Sequence, residues 1–453
     1  MTERYERLVR RLQAEARIPA VSAALHRADR PMWTFQVGAE PVDADSQFRI
    51  GSVTKTFTAV LVMQCRDDGL LDLDDPVGAH LPLDAHGELT ISRLLSHTAG
   101  LQREPHGDMW DTLDAPDLDR LLGQLDRVER VLPTGRRFHY SNLGISLLGH
   151  LVGRLRGGTW AEALRERVLR PLALDGTTVD PDPARAATGY LVDAYSDQVR
   201  AEPSSDFGAV APAAQLWSTA ADMARWAAFL ADPTVLDPSG AVLSAETLDE
   251  MRWPRTVTDE MQWQGGFGLG LILVPRRSRH EGDRIVHVGH DGAMPGFLAA
   301  AYGRRGGTGT PGGLGVAVLG SSGTAAALFE LPHQLLAAAT DHDPADIEPW
   351  QPGDPVPQHL HSALGRWWGE GFEYVFTWRD GALQAHGADH PAGRPPAVFA
   401  SHGREPDVLR TVSGREAGEL LRLTRDADGR VVRMHWATYR FTRVLETFDR
   451  QTF

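Results

Sequence analysis

The sequence predicts an α+β fold: an antiparallel sheet with an inserted helical region, followed by a small antiparallel β-barrel. Three observations predict it. Strand-like runs stand near both ends of the first 340 residues, with helix-like runs between them. A stretch rich in proline and acid, DHDPADIEPWQPGDPVP at 341–357, then interrupts the hydrophobic pattern. Beyond it come short alternating segments dense in aromatic residues. The expected organisation is one domain over 1–340, an extended linker over 341–357 and a barrel over 358–453. A chain of 453 residues is long enough to bury one large core and a smaller one.

Taken in order, residues 2–15 read as a helix, and AVSAALHRADRPMWTFQVG (20–38) as a hairpin. Residues 52–69 read as a helix. Between 88 and 250 helices are expected at LDRLLGQLDRVERVL, LGISLLGHLVGRLRG and STAADMARWAAFLAD. Strands return at FGLGLILV, DRIVHVGHDG, GFLAAAYG and GLGVAVLGSS, with AYGRRGGTGTPGG as a hairpin loop of no assigned function. In the C-terminal part, turns are expected at Arg379-Asp380-Gly381 and at Asp426-Ala427-Asp428-Gly429. Val432, Met434 and Trp436 should share one face at period two. The aromatic set Trp367, Trp368, Phe372, Tyr374, Phe376, Trp378 and Trp436 reads as core filling.

A net charge of −14 and a pI near 5.7 argue against nucleic acid or a membrane surface as the partner. The N-terminal MTERYERLVRRLQAEARIPAVSAAL has no apolar signal core, and no apolar run is long enough to span a bilayer. A cytoplasmic location is expected. Cys65 is the single cysteine, which excludes internal disulfides and cysteine metal clusters, and its apolar setting suggests a packed thiol. H-E-x-x-H and G-x-S-x-G are both missing, so neither a metal-hydroxide mechanism nor an α/β-hydrolase elbow is supported. No metal and no cofactor are expected.

One residue carries more chemistry than any other. Lys55 is the only lysine; the other 45 basic residues are arginine. It lies three residues after Ser52 in SVTK, on the same face of a helix one turn away. A serine hydroxyl needs a base before it becomes a nucleophile. Buried lysine can lose its proton and serve as that base, whereas arginine cannot. The bland reading makes Ser52 an N-cap and Lys55 a solvated charge. Apolar flanks (Phe57, Val60, Leu61, Met63) and the uniqueness of Lys55 favour the chemical one.

Over residues 15–335 the chain resembles the serine enzymes of the penicillin-binding-protein and class C β-lactamase superfamily. The resemblance rests on ordered motifs: SVTK at 52–55, LLSHTAGL at 94–101, PTGRRFHYSNLGISLLG around Tyr140 and Asn142, then RPLALDGT, STAADMARW and FGLGL, and VGHDGAMPGF with His290, Asp291 and Gly292. It implies that Ser52 is the nucleophile and that Lys55 and Tyr140 share the proton transfers, with the resting base left open between them. Asn142 would bind the substrate amide or orient Lys55, and His290 and Gly292 would line the substrate strand. The backbone N–H groups of Ser52 and Ala293 would form the oxyanion hole. His97 is read as structural. Many relatives have Lys-Thr-Gly where this chain has His290-Asp291-Gly292. Neutral imidazole beside Asp291 is a poorer carboxylate site, so substrates with a neutral or esterified end fit better.

Three functions follow. The acyl-enzyme can be released by an amine, making the protein a stand-alone thioesterase that closes a nonribosomal peptide head to tail as a macrolactam. This is the preferred reading, because the architecture resembles the penicillin-binding-protein-type thioesterases, which carry a lipocalin-like barrel after the serine domain. The resemblance implies a small-molecule or peptidyl substrate presented by a carrier protein. Alternatively water releases the acyl group, giving an esterase or a D-amino-acid-type peptidase. A third reading is a sensor or ligand-binding protein that is acylated without turnover, or a barrel that holds a lipid.

Overall fold

The structure, a computed structural model, describes residues 2–259, 262–277, 284–305, 313–341, 353–389 and 395–446. The chain divides into two compact units, Met1–Asp346 and Ile347–Phe453.

Hydrophobic alternation and turn chemistry assemble the first unit around one antiparallel sheet. Among the described residues its strands run in the order Arg30–Gly38, Ala20–Arg27, Leu314–Gly320, Phe297–Arg305, Arg284–Met294, Ile272–Arg277, Gly266–Phe267 and Thr256–Val257. The N-terminal hairpin thus lies against a strand almost 300 residues later, with Val21 opposite Gly320 and Arg27 opposite Leu314. Every residue of Leu314–Gly320 is buried, as a central strand covered on both faces requires. Helices Thr2–Glu15 and Leu331–Asp341 cover one face around Tyr5, Val9, Tyr302 and Leu335. Helix Ala220–Ala231 packs on the other face. The helical region is inserted on that second side, and at its centre Thr54–Asp67 is buried all round from Thr54 to Cys65. Its polar side chains are each given a partner: the Trp226 and Trp160 indoles donate to the Thr56 and Thr58 hydroxyls at 2.7 and 2.9 Å. Such burial is tolerable because those hydroxyls are satisfied.

Several expectations need correction. LDRLLGQLDRVERVL is not one helix: Leu118–Gly123 is α-helical and Leu125–Arg127 only a 3₁₀ turn. Leu121 and Leu125 are buried while the charged residues around them face solvent, so little apolar surface holds a longer helix in place. FGLGLILV is two strands, broken where Gly270 (φ +75°) turns the chain. The expected loop AYGRRGGTGTPGG is strand as far as Arg305, and residues 306–312 lie outside the described residues. Helix Leu331–Asp341 includes the first residue of the expected linker, of which 342–352 lie outside the described residues.

The second unit is a closed antiparallel barrel of eight strands from Gly365–Gly369 to Tyr439–Thr442, closed by pairing of Trp368 with Thr442. Asp380 (φ +53°) and Gly381 (φ +69°) make the expected tight turn. Trp367, Tyr374, Phe376 and Trp436 fill the interior together with Phe399, Met434 and Phe441. Phe372 instead faces solvent, and Trp368 and Trp378 are half-buried. Val432 does not share the face of Met434 and Trp436. A bulge pairs Arg425 with Val431 and Thr424 with Arg433, which turns Val431 inward and Val432 outward. No helix among the described residues is long and apolar enough to cross a membrane.

Candidate active site

Ser52 sits in a 3₁₀ turn, Gly51–Val53, that leads into the helix Thr54–Asp67. The helix itself begins two residues later than the sequence suggested. Gly51 has φ +50°, and a Cβ there would come within 2.9 Å of the Ala293 nitrogen. A Cβ on Gly292 would meet the Ile50 carbonyl oxygen at 1.9 Å and the Ser52 nitrogen at 3.2 Å. These two glycines let strand Arg284–Met294 press against the serine turn, which brings the backbones of Ser52 and Ala293 together.

Lys55 Nζ donates to Ser52 Oγ at 3.0 Å and to the Ala213 carbonyl at 2.7 Å. Its side chain is wholly buried. Burial holds its pKa well below the usual lysine value; nearby Glu104 opposes that shift and Arg103 adds to it. Tyr140 enters from the segment before helix Asn142–Leu155, its hydroxyl hydrogen-bonded to Ser52. Lys55 Nζ lies 4.9 Å from the Tyr140 ring centroid. Burial raises the phenol above its ordinary value, against the opposing effects of Ser52 and Arg103. The resting site therefore holds a phenol and an amine poised to be neutral. An amine of that kind can accept the serine proton, and a phenol can donate one.

His290 lies on the active-site strand with its ring 6.0 Å from that of Tyr140. Its Nδ1 donates to the Asp291 carbonyl at 2.6 Å, leaving Nε2 as a buried acceptor. Burial first, and Lys55 second, push its pKa down to about 3, so the imidazole is neutral. Asp291 is not its companion. Adjacent strand residues point to opposite faces, and Asp291 lies on the far side of the sheet, hydrogen-bonded to Tyr302. Its carboxyl plays no part in an anion site beside His290.

His97, buried and at φ +54°, holds the Tyr140 segment: its Nδ1 accepts the Ser141 N–H at 3.1 Å, its carbonyl accepts the His139 N–H at 2.7 Å, and its ring packs 4.4 Å from that of Tyr140. Asn142 makes no hydrogen bond to Lys55. Its Nδ2 donates to Glu104 Oε1 at 2.5 Å. Glu104 and its neighbour Arg103, whose guanidinium lies 4.9 Å from the Tyr140 ring centroid, escaped the sequence reading. Their one signal is position: both follow LLSHTAGL within three residues. The exposed Arg103 brings to the site a fixed positive charge that the His-Asp-Gly motif lacks.

Compared with known families, residues 5–340 match the Beta-lactamase family and residues 356–443 a domain of unknown function, DUF7586. Penicillin-binding protein 4 of Amycolatopsis lactamdurans is 33% identical over 279 residues, covering 56% of this chain and 68% of that one. The crystal structure of SurE superimposes with a TM-score of 0.59 and 25% identity, covering 98% of both chains. A D-stereospecific amidohydrolase from Streptomyces sp. covers 72% of this chain and 98% of its own, at 23% identity and a TM-score of 0.58. With SVTK folded so that a buried lysine pairs with the serine, and the family match running almost unbroken through the first unit, the chain belongs to the β-lactamase and penicillin-binding-protein superfamily of serine hydrolases.

Proposed function

We propose that the protein forms an acyl-enzyme on Ser52 from a peptidyl thioester, ester or amide, and releases it to an amine as a head-to-tail macrolactam. The observation that carries the acyl-enzyme step is the wholly buried Lys55 amine 3.0 Å from the Ser52 hydroxyl. Ser52 Oγ attacks the carbonyl carbon while its proton passes to Lys55. The backbone N–H groups of Ser52 and Ala293 receive the negative charge on the oxygen. The bond to the leaving group breaks, Tyr140 protonates that group, and Tyr140 recovers its proton from Lys55. In the second half an amine nitrogen attacks the ester carbonyl and gives its proton to neutral Lys55, the bond to Ser52 Oγ breaks as Tyr140 protonates that oxygen, and Lys55 returns the proton to Tyr140. His290, as a neutral acceptor, and Gly292 border the substrate.

Macrolactam release is favoured over hydrolysis by the match to SurE, which extends through both units. The substrate is presented by a carrier protein in the cytoplasm. Hydrolysis is the second reading, favoured by fold similarity to a D-stereospecific amidohydrolase. Incubation with a synthetic peptidyl thioester ending in a D-residue separates the two. Cyclic peptide is expected as the main product by mass spectrometry; linear acid alone would exclude the cyclase and leave a hydrolase.

A further inference from the structure

Filling the barrel with aromatic side chains turns the alternate residues of its last two strands outward. Met434, Trp436 and Phe441 belong to the core, so Arg433, His435 and Arg440 face the other way. His435 and Arg440 pair directly across strands Val431–Trp436 and Tyr439–Thr442. With Trp368, which pairs with Thr442 from the neighbouring strand, and with Tyr439, they border a cavity of about 330 Å³. The charges around that cavity do not balance. Arg440 pairs with Glu446 at 3.5 Å, and Glu370 is engaged by Arg415 at 2.7 Å. Among the described residues Arg433 has neither an ion pair nor a hydrogen-bond acceptor, and its Nε is buried. A buried donor without an acceptor is costly, and a guanidinium cannot escape that cost by shedding its proton. Both guanidinium charges also act on the His435 ring: burial lowers its pKa most, and Arg433 and Arg440 lower it further. At neutral pH the ring is therefore uncharged, with one N–H to donate. Arg422, the other cross-strand neighbour of His435, is exposed and brings no negative charge.

We infer that this pocket on the outer wall of the barrel binds a small organic anion, a carboxylate or a phosphate monoester attached to an apolar body. The planar fork of Arg433 matches two oxygens side by side, and its Nε–H gains the acceptor it lacks. His435 supplies a further donor, while Trp368 and Tyr439 offer apolar surface to the rest of the ligand. A cavity of about 330 Å³ is at the small end for ligand pockets, which suits a body of one ring and not a peptide. The site lies wholly within the second unit and is independent of the acyl-transfer reading.

Calorimetry on the full-length chain tests it with two matched pairs, benzoate beside benzyl alcohol and phenyl phosphate beside phenol. In at least one pair the anion is expected to bind about tenfold or more tightly, the size of a charge-assisted hydrogen bond. Which pair responds identifies the headgroup. Arg433→Gln should remove that preference, whereas Arg433→Lys, which keeps the charge but not the fork, should retain part of it. Arg379→Gln makes the same change of charge at an exposed hairpin turn outside the cavity and should leave binding unaltered. Circular dichroism of each variant confirms that the chain is folded. Equal binding within both pairs by the wild-type protein, or a preference that survives Arg433→Gln, would overturn the inference.

Discussion

A single side chain decides whether Ser52 can react at all. Lys55 needs both a hydroxyl within reach and surroundings that release its proton, and it has 3.0 Å and complete burial. Because the folded site lowers its pKa, the neutral amine exists above that lowered value and is lost as pH falls through it. Acylation should therefore slow toward acid. Replacing Lys55 by arginine keeps a cation but removes the base. Fluorophosphonate labelling of Lys55→Arg is expected to slow roughly 10²- to 10⁴-fold relative to wild type, with an unchanged circular dichroism spectrum. A labelling rate within tenfold of wild type would deny Lys55 the role of base. Lys55 was legible in the sequence because an arginine-rich chain had kept one lysine. Glu104 was not, because an acidic residue in a loop has the composition of a solvated one until the fold brings Asn142 against it.

At the scale of one element, strand Arg284–Met294 serves two unlike environments. His290 and Gly292 face the serine, while Asp291 faces the core between the sheet and helix Leu331–Asp341. Reading His-Asp-Gly as a triplet concealed what strand alternation dictates, that neighbours part to opposite faces. Other elements show the same contrast. The Asp380-Gly381 turn was legible because its left-handed backbone requires such residues. The bulge that turns Val432 outward was not, since it depends on the pairing of two strands, while the sequence by itself shows an unbroken apolar alternation through Val432, Met434 and Trp436. The buried acid has a measurable consequence. Burial pushes the Asp291 carboxyl up to about 7, partly offset by Tyr302. Between the unfolded value of 3.8 and the folded one, the folded state binds the extra proton, so this group's contribution to stability falls as pH rises. Urea unfolding of wild type and Asp291→Asn should diverge across that window by up to about 1.4 kcal/mol per pH unit, with the variant gaining relative stability toward pH 7. Parallel curves would mean that Asp291 does not titrate in this range.

For the whole molecule, the fold class was read from the order of strands, helices and strands, and the sheet bears it out by seating the N-terminal hairpin beside Leu314–Gly320. The barrel was legible from its aromatic alternation, and its interior is filled by Trp367, Phe376, Met434, Trp436 and Phe441. Substrate choice was less legible, because it depends on side chains from separate loops and helices meeting at one hydroxyl. All of the proposed chemistry depends on a neutral amine at Lys55, and its uniqueness makes that amine directly observable. In protein labelled with ¹³C and ¹⁵N lysine, a single side-chain signal should titrate. A midpoint well below 10.5 is the expected result. An ammonium persisting to about pH 10 would contradict it and leave Ser52 without its base.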